Sequence, residues 1–256
     1  MNRYVVTALL LGLTATAAPI REVWADDPSP LGVSVRVTAG VSLARDFNIA
    51  DRNFAQDGII SGDPNDLTPG MLNHPQGSAA LVGGGIDYML FDGLRVGATI
   101  AYRSQYKLSD HDGHPANALL DDPGNITAAT GTMTTMSYMG TVSYDLPIVD
   151  GPALPFVTAS AGTTTIKASP LQMTYLGLPA SFQGASKSNF SYTIGGGADY
   201  RLDEHFSVAL AYQYADLGDI VYPAQTFLAV GFPQTSSGLK GRLRANEVTL
   251  TLRCEF

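Results

Sequence analysis

Hydrophobic and polar residues alternate along the last twelve residues of the chain, Ala245–Phe256. Alternation with a period of two gives a β-strand one apolar and one polar face. On one parity lie Val248, Leu250, Leu252, Cys254 and Phe256, and on the other lie mostly charged residues and threonines. The same period recurs seven times upstream, so the pattern predicts eight strands of about ten residues. The other seven are Val33–Leu43, Ala80–Leu90, Leu94–Arg103, Met133–Leu146, Phe156–Ile166, Phe190–Leu202 and Phe206–Tyr214.

The connections between these strands alternate in length. Three are short turns, at Phe91–Gly93, Pro147–Ala153 and Asp203–His205. A compact soluble domain rarely needs several long loops, whereas an outer-membrane barrel has short periplasmic turns and long extracellular loops. The pattern therefore predicts an all-β, eight-stranded antiparallel up-and-down transmembrane barrel. Its four long extracellular loops are Asn48–Gly77, Ser109–Thr130, Ala168–Ser188 and Asp219–Leu243, and Thr226–Phe232 is apolar enough to extend a strand.

Residues 1–25 are predicted to be a cleaved signal peptide. A short basic region at Asn2-Arg3 precedes the apolar stretch Val5–Ala18, which is too short to span a bilayer as a helix. Small residues at Val23 and Ala25 fit a cleavage site after residue 25, although cleavage after Ala18 and retention as an anchoring helix are alternatives. Residues 26–256 would then form the barrel domain, exported to the outer membrane of a Gram-negative bacterium.

The composition and net charge of the chain exclude several classes of function. Charged residues make up 15% of the chain, well below the roughly 25% usual in soluble domains. The net charge of −8, with 15 Lys and Arg, argues against nucleic-acid binding, which requires a basic face. A single cysteine excludes a disulfide within the chain and a cysteine-rich zinc site. After cleavage, 13 Lys and Arg against 22 Asp and Glu would give a net charge of −9.

The polar parity of the strands carries ten charged side chains that a barrel would turn inward. An eight-stranded barrel is just wide enough for side chains to fill its interior. Because unpaired buried charges are costly, we predict a paired charge network in the lumen, with a gated ion path as the alternative. The predicted members are Arg36, Asp87, Arg95, Arg103, Asp145, Asp199, Arg201, Glu247, Arg253 and Glu255.

The apolar parity carries aromatic residues suited to the two membrane–water boundaries. These are Tyr88, Tyr102, Tyr138, Tyr144, Tyr200, Tyr212 and Phe256. The segment Gly83–Tyr88, with three glycines before Ile-Asp-Tyr, reappears as Gly195–Tyr200 with Ala in place of Ile. Glycine is unfavourable within strands, so we interpret these runs as sites of close strand approach or as space for large lumen side chains. They lack the GxGxxG and P-loop patterns of nucleotide sites.

The loops offer weak candidates for chemistry. His111, Asp112 and His114 could ligate a metal ion, but their loose spacing on a Gly- and Pro-containing loop is more typical of a solvated segment. Acidic residues cluster in the first two loops, which suits either repulsion of anionic surfaces or binding of divalent cations and cationic ligands. These are Asp51, Asp57, Asp63, Asp66, Asp110, Asp112, Asp121 and Asp122. We expect no cofactor and no enzymatic activity.

Three motifs give a family resemblance. Tyr212–Gly218 (Tyr-Gln-Tyr-Ala-Asp-Leu-Gly) resembles a motif of small opacity-type outer-membrane barrels, often called porin family proteins. Pro155–Ala159 is similar to the start of their fifth strand, and the strand ending in Phe256 is similar to their terminal signal. The resemblance implies an outer-membrane β-barrel without shared catalytic residues. It also implies that outer-membrane assembly machinery recognises the parity Val248, Leu250, Leu252, Cys254 and Phe256.

The leading interpretation is an integral outer-membrane protein with a filled lumen, variable acidic extracellular loops and a structural or surface-interaction role. A narrow channel for small solutes is one alternative, and a loop-based adhesin or membrane-embedded enzyme is another. A soluble carrier barrel would reverse the alternation, with apolar side chains inside. Expected partners are outer-membrane lipid and lipopolysaccharide, the assembly machinery, periplasmic chaperones and an extracellular ligand or host surface.

Overall fold

The computed structural model of the protein describes residues 32–45, 49–51, 77–91, 93–110, 126–147, 153–175, 178–229, 232–236 and 238–256. The predicted signal peptide, residues 1–25, lies outside these ranges, so cleavage and the start of the barrel domain stay predictions. In the described part of the chain, no helix has the length and apolar character needed to cross a bilayer.

Eight long strands form a closed antiparallel barrel. Each strand pairs with the next long strand along the chain, and the first pairs with the last, from Ser34 opposite Glu255 to Ala44 opposite Ala245. The predicted all-β, eight-stranded up-and-down architecture is confirmed. The long strands are β1 (Val33–Ala44), β3 (Ser78–Phe91), β4 (Leu94–Asp110), β5 (Ile126–Asp145), β6 (Ala153–Ala168), β9 (Ala185–Arg201), β10 (Phe206–Val221) and β13 (Leu239–Glu255).

The predicted extents of the strands and loops were partly wrong. The long strands have 12 to 20 residues rather than about ten, because they continue into segments assigned to loops. Short strands occupy more of those segments: β7 and β8 form one hairpin beside β5, and β11 pairs with β12. Part of Thr226–Phe232 thus belongs to a separate hairpin and does not extend β10. The short strands are β2 (Ile49–Asp51), β7 (Leu171–Tyr175), β8 (Leu178–Phe182), β11 (Gln225–Ala229) and β12 (Phe232–Ser236).

The alternation changes sign on several strands towards the end remote from the short turns, and β13 shows this most clearly. From Glu247 to Arg253 the inward residues are polar, while Val248, Leu250 and Leu252 face outward and are exposed. Between Leu239 and Ala245 the inward residues are apolar or glycine and the outward ones are basic. A barrel surrounded by lipid needs an apolar exterior, whereas a barrel surrounded by water needs an apolar interior. The inversion near Ala245 therefore marks where the strands leave the membrane.

Above this boundary the barrel encloses an apolar cluster, which we call the upper core. Its side chains come from strands on all sides and from the β7–β8 hairpin, whose Leu171 and Phe182 are at most 1% exposed. Burial also raises the pKa of Tyr222 to about 12, so its phenol stays neutral. The upper core closes the end of the barrel remote from the short turns. It comprises Ala79, Tyr106, Met133, Ile166, Ala168, Leu171, Phe182, Ala215, Leu217, Ile220, Tyr222, Leu239 and Leu243.

Candidate functional site

A buried ion pair crosses the lumen directly beneath the upper core. Arg103 on β4 and Glu247 on β13 both have inward parity, and each is 2% exposed. The guanidinium donates two hydrogen bonds to the carboxylate, Nε to Oε1 at 2.5 Å and Nη2 to Oε2 at 3.0 Å. Ser42 donates to Oε1 at 2.7 Å and shares a 2.7 Å hydrogen bond with the Tyr106 hydroxyl. A bidentate pair with these partners can remain charged while shielded from water.

Hydroxyl groups extend this ion pair around the barrel wall. Arg103 Nη1 donates to Ser137 at 2.8 Å, which lies 2.7 Å from Thr164, and Thr164 donates to Ser191 at 2.8 Å. Four strands, β4, β5, β6 and β9, are thereby joined at one level of the lumen. The chain of hydroxyls satisfies polar groups that water cannot easily reach, as a buried polar network requires.

A second charge network lies near the short-turn end of the lumen. Arg36 contacts Asp87 at 3.2 Å and donates to Thr99 at 2.5 Å. Arg95 pairs with Asp145 and lies 3.6 Å from Asp199, whose Oδ2 also pairs with Arg253. Asp199 therefore joins two arginines contributed by β4 and β13. We call these residues, Arg36, Asp87, Arg95, Asp145, Asp199 and Arg253, the lower network.

The structure brings together eight of the ten predicted lumen charges, as four arginines and four acids. Six form the lower network and two form the Arg103–Glu247 pair. The other two, Arg201 and Glu255, are half-buried near the short turns. Within the described residues, the side-chain charges of the two networks cancel.

Two glycines make room for the lower network. A Cβ atom at Gly97 would lie 2.1 Å from Asp87 Oδ1, and one at Gly85 would lie 2.9 Å from Arg36 Nε. Each Cβ would also meet a backbone carbonyl of the facing strand, Ala98 for Gly85 and Ile86 for Gly97, so these glycines permit close strand approach as well as space for the Arg36–Asp87 pair. Gly85 belongs to the predicted glycine run. Space for lumen side chains is thus one role of that run, as the sequence suggested.

Between the two charged levels lies a cavity of about 80 Å³. Thr99, Thr141 and Ser160 are hydrogen-bonded in a row along its wall, at 2.9 and 3.0 Å. The volume corresponds to two or three water molecules at about 30 Å³ each. Met139 and Phe156 also line the cavity, so the middle of the lumen is a small chamber with hydroxyl and apolar walls, bounded above and below by ion pairs.

The outer parity is apolar and exposed, as a lipid-facing surface must be. Tyr88, Tyr144, Tyr200 and Phe256 lie towards the short-turn end, and Tyr102, Tyr138 and Tyr212 lie towards the opposite end. Each of these seven rings is at least 39% exposed, which agrees with two aromatic girdles. On the closing strand, Val248, Leu250, Leu252 and Phe256 are exposed and Cys254 is partly exposed on the same face.

The loop candidates for metal binding lie outside the described residues. This applies to His111, Asp112 and His114, and to the acidic residues Asp57, Asp63, Asp66, Asp121 and Asp122. Asp51 ends β2 and Asp110 ends β4. Among the side chains that the structure does describe, no group of three His, Cys, Asp or Glu is placed to hold a metal ion. The metal and cation hypotheses stay predictions.

The barrel matches a known protein family. A family model described as outer membrane protein beta-barrel domain matches residues 5–256. The chain belongs to this family. The family and the closed barrel agree on an integral protein of the Gram-negative outer membrane, in contact with its lipid. No curated protein matches the chain.

Solved structures similar to this outer-membrane barrel share its fold at low sequence identity. The outer membrane protein OprG from Pseudomonas aeruginosa is 13% identical with a TM-score of 0.50, covering 90% of this chain and 99% of that one. Neisserial surface protein A is 12% identical with a TM-score of 0.43, covering 88% and 97%. The outer membrane protease OmpT from Escherichia coli is 9% identical with a TM-score of 0.38, covering 88% and 96%. Identities this low show the fold alone.

Two features of this outer-membrane barrel were missed by the sequence interpretation. The upper core was hidden because Asp219–Leu243 was interpreted as a loop, although Leu239 and Leu243 share one parity. The second is an exposed ionic cluster around Asp216, which belongs to the resemblance motif but was given no role. The signal that could have found both is the opposite alternation at the upper ends of β10 and β13.

Proposed function

We propose that the protein is a closed, non-conducting outer-membrane scaffold that holds its long extracellular connections at the cell surface. The observation that carries this proposal is the upper core, in which large side chains fill the extracellular end of the barrel at 0–1% exposure. Hydrated ions require a polar path, and burying them among apolar side chains is costly. The Arg103–Glu247 pair adds a second barrier immediately below.

The same arrangement supports a non-enzymatic role. The charged side chains of the lumen contact one another, and the upper core separates them from the cell surface. A catalytic group has to reach its substrate, which these positions disfavour. The surface role is then left to the extracellular connections, as an adhesin-like or structural contact with a ligand or a neighbouring surface.

Conductance measurements test the closed lumen. We expect the purified protein, inserted into planar bilayers, to give no stable current steps. A variant with Leu217→Ser and Leu243→Ser, which places two polar groups in the upper core, should show more frequent openings because water can enter there. Ser186→Ala, an exposed change on the upper part of β9, serves as the matched control. Large, stable channels formed by the unaltered protein would overturn the proposal.

We also propose that the closing strand is the segment recognised during assembly. Phe256 is 52% exposed, and its N–H donates to the Val33 carbonyl at 2.9 Å, where the barrel closes. Its ring therefore contributes little to the lumen and is free to be recognised before closure.

Deletion of Phe256 should reduce the fraction of heat-modifiable, folded protein in outer-membrane preparations severalfold. Phe256→Tyr, which keeps an aromatic terminus, should assemble normally. Refolding of both purified variants into lipid vesicles separates recognition from stability. If the deletion variant assembles in cells as well as the original protein, the proposed role of Phe256 is wrong.

A further inference from the structure

The basic side chains of the protein are distributed asymmetrically about the membrane. Apart from the four arginines of the lumen networks and Arg201 near the short turns, every Lys and Arg in the described ranges lies at the extracellular end of the strands. These are Arg45, Lys107, Lys167, Lys187, Lys240, Arg242 and Arg244. The short turn at Asp203 and Glu204, at the opposite end, is acidic. This surface is thus suited to anions at the outer face of the membrane.

The densest part of this surface is organised by one carboxylate. Asp216 on β10 accepts hydrogen bonds from Arg242 Nε at 3.1 Å to each oxygen, and Arg242 Nη2 lies 2.9 Å from Oδ2. Arg244 Nε lies 3.4 Å from the same oxygen. The hydrogen bond and the charge of Asp216 raise the pKa of Arg242. Both guanidinium groups are therefore held in place from one side.

The backbone explains why Asp216 can do this. β10 has a bulge between Asp216 and Gly218, where Gly218 adopts a left-handed φ of 95°. The Gly218 N–H donates to Asp216 Oδ1 at 3.2 Å. A non-glycine residue disfavours this φ, so the bulge depends on glycine. The turned backbone places the Asp216 carboxylate beneath the two arginines, where its side chain is only 3% exposed.

The arginines themselves remain open to the outside. The side chains of Arg242 and Arg244 are 52% and 47% exposed, although Asp216 beneath them is buried. The Arg45 N–H donates to the Arg244 carbonyl at 2.8 Å, so a third exposed basic residue, directly after the end of β1, adjoins the pair. Two arginines around one carboxylate leave an excess of one positive charge, and the neighbouring Arg45 adds a second. Guanidinium groups fixed by a carboxylate present their remaining N–H groups for bidentate contact with an anion.

The position of the Asp216 cluster relative to the membrane indicates which kind of anion it binds. Arg244 pairs in register with Asp216. Two residues closer to the membrane, the next pair of residues on the outer face is Tyr214 with Asn246. Tyr214 lies against Tyr192, with ring centroids 6.4 Å apart, at the extracellular end of the lipid-facing surface. On the outer face of the barrel, the arginines thus lie immediately above the aromatic residues, on the extracellular side. Lipid phosphate groups occupy this level, at the boundary between the apolar bilayer core and water.

We propose that Arg45, Arg242 and Arg244 bind a phosphate group of the lipid A portion of lipopolysaccharide in the outer leaflet. This inference rests on the outer-membrane location and on the Asp216 cluster. It is independent of whether the lumen conducts, so a failed conductance test would leave it standing.

Binding of lipid A to the purified full-length protein in detergent micelles tests the site. The probes are diphosphoryl lipid A and the same lipid A after removal of both phosphates, with binding followed by native mass spectrometry. We expect the unaltered protein to bind the diphosphoryl form about tenfold more tightly, which is about 1.4 kcal/mol. The double variant Arg242→Gln, Arg244→Gln should lose most of this preference.

The matched control is Lys107→Gln with Lys167→Gln. It removes the same charge from exposed positions at the same end of the barrel, on β4 and β6, and should change the binding by less than twofold. Heat-modifiable migration verifies folding of each variant. Equal binding of the two lipid A forms by the unaltered protein would overturn the proposal without any variant. An equal loss in the control variant would also overturn it, since nonspecific attraction would then suffice.

Discussion

Replacing Glu247 with glutamine is expected to lower the free energy of unfolding by about 3–5 kcal/mol. The change is nearly isosteric, but it leaves the Arg103 guanidinium buried at 2% exposure without its counter-ion. It also weakens the hydrogen bond from Ser42, and through Ser42 the contact with Tyr106. Denaturant unfolding in lipid vesicles, followed by circular dichroism or gel migration, measures the effect.

The control for this prediction removes both charges. Arg103→Met with Glu247→Leu eliminates the ion pair and keeps the volume approximately constant, so its cost should be clearly smaller than that of Glu247→Gln. A single variant as stable as the original protein would show that water or another group compensates Arg103. It would also remove the ion pair as an argument for a closed lumen.

Replacing Leu210 with arginine is expected to cost about 2–4 kcal/mol. Leu210 is 54% exposed on the outer face of β10, opposite Leu250 and midway between Phe206 and Tyr214. At that height a charged side chain faces the centre of the bilayer. The same vesicle-based unfolding measurement quantifies the loss.

The matched variant is Leu43→Arg, which introduces the same side chain at the extracellular end of β1, next but one to Arg45. Leu43 is similarly exposed at 47%, but its arginine can reach the membrane surface, so the cost should be about 0–1 kcal/mol. If both variants lost equal stability, the membrane boundary inferred from the inversion of alternation would be misplaced.

The sequence was sufficient for the membrane-spanning part of the fold. There the alternation of Val248, Leu250 and Leu252 with polar neighbours has one physical cause, lipid outside and a packed polar lumen inside. Parity also sufficed to place Arg103 and Glu247 inward. Which charges meet across the lumen could not be obtained from parity, because partners such as Arg36 and Asp87 depend on the relative heights of separate strands.

The extracellular part could not be predicted in the same way. Leu239 and Leu243 follow a period of two, but their apolar face points inward. The rule that apolar residues of a membrane strand face outward does not recognise such a strand, so the segment was interpreted as a loop. The Asp216 cluster depends on a bulge at Gly218, which shifts the register of β10 against β13. A local backbone conformation of this kind changes which side chains meet without disturbing the composition of the strand.

The upper core gives the two ends of this barrel different thermal behaviour. Apolar surface that is withdrawn from water carries a large heat capacity of unfolding, and its contribution weakens on cooling. The membrane-spanning walls remain in contact with lipid on their apolar face, so they lack most of that term. We therefore expect the upper core to unfold locally at low temperature or in mild urea, while the membrane-spanning strands stay folded. The extracellular end of this protein would then be sensitive to cold, and its membrane-spanning part would not.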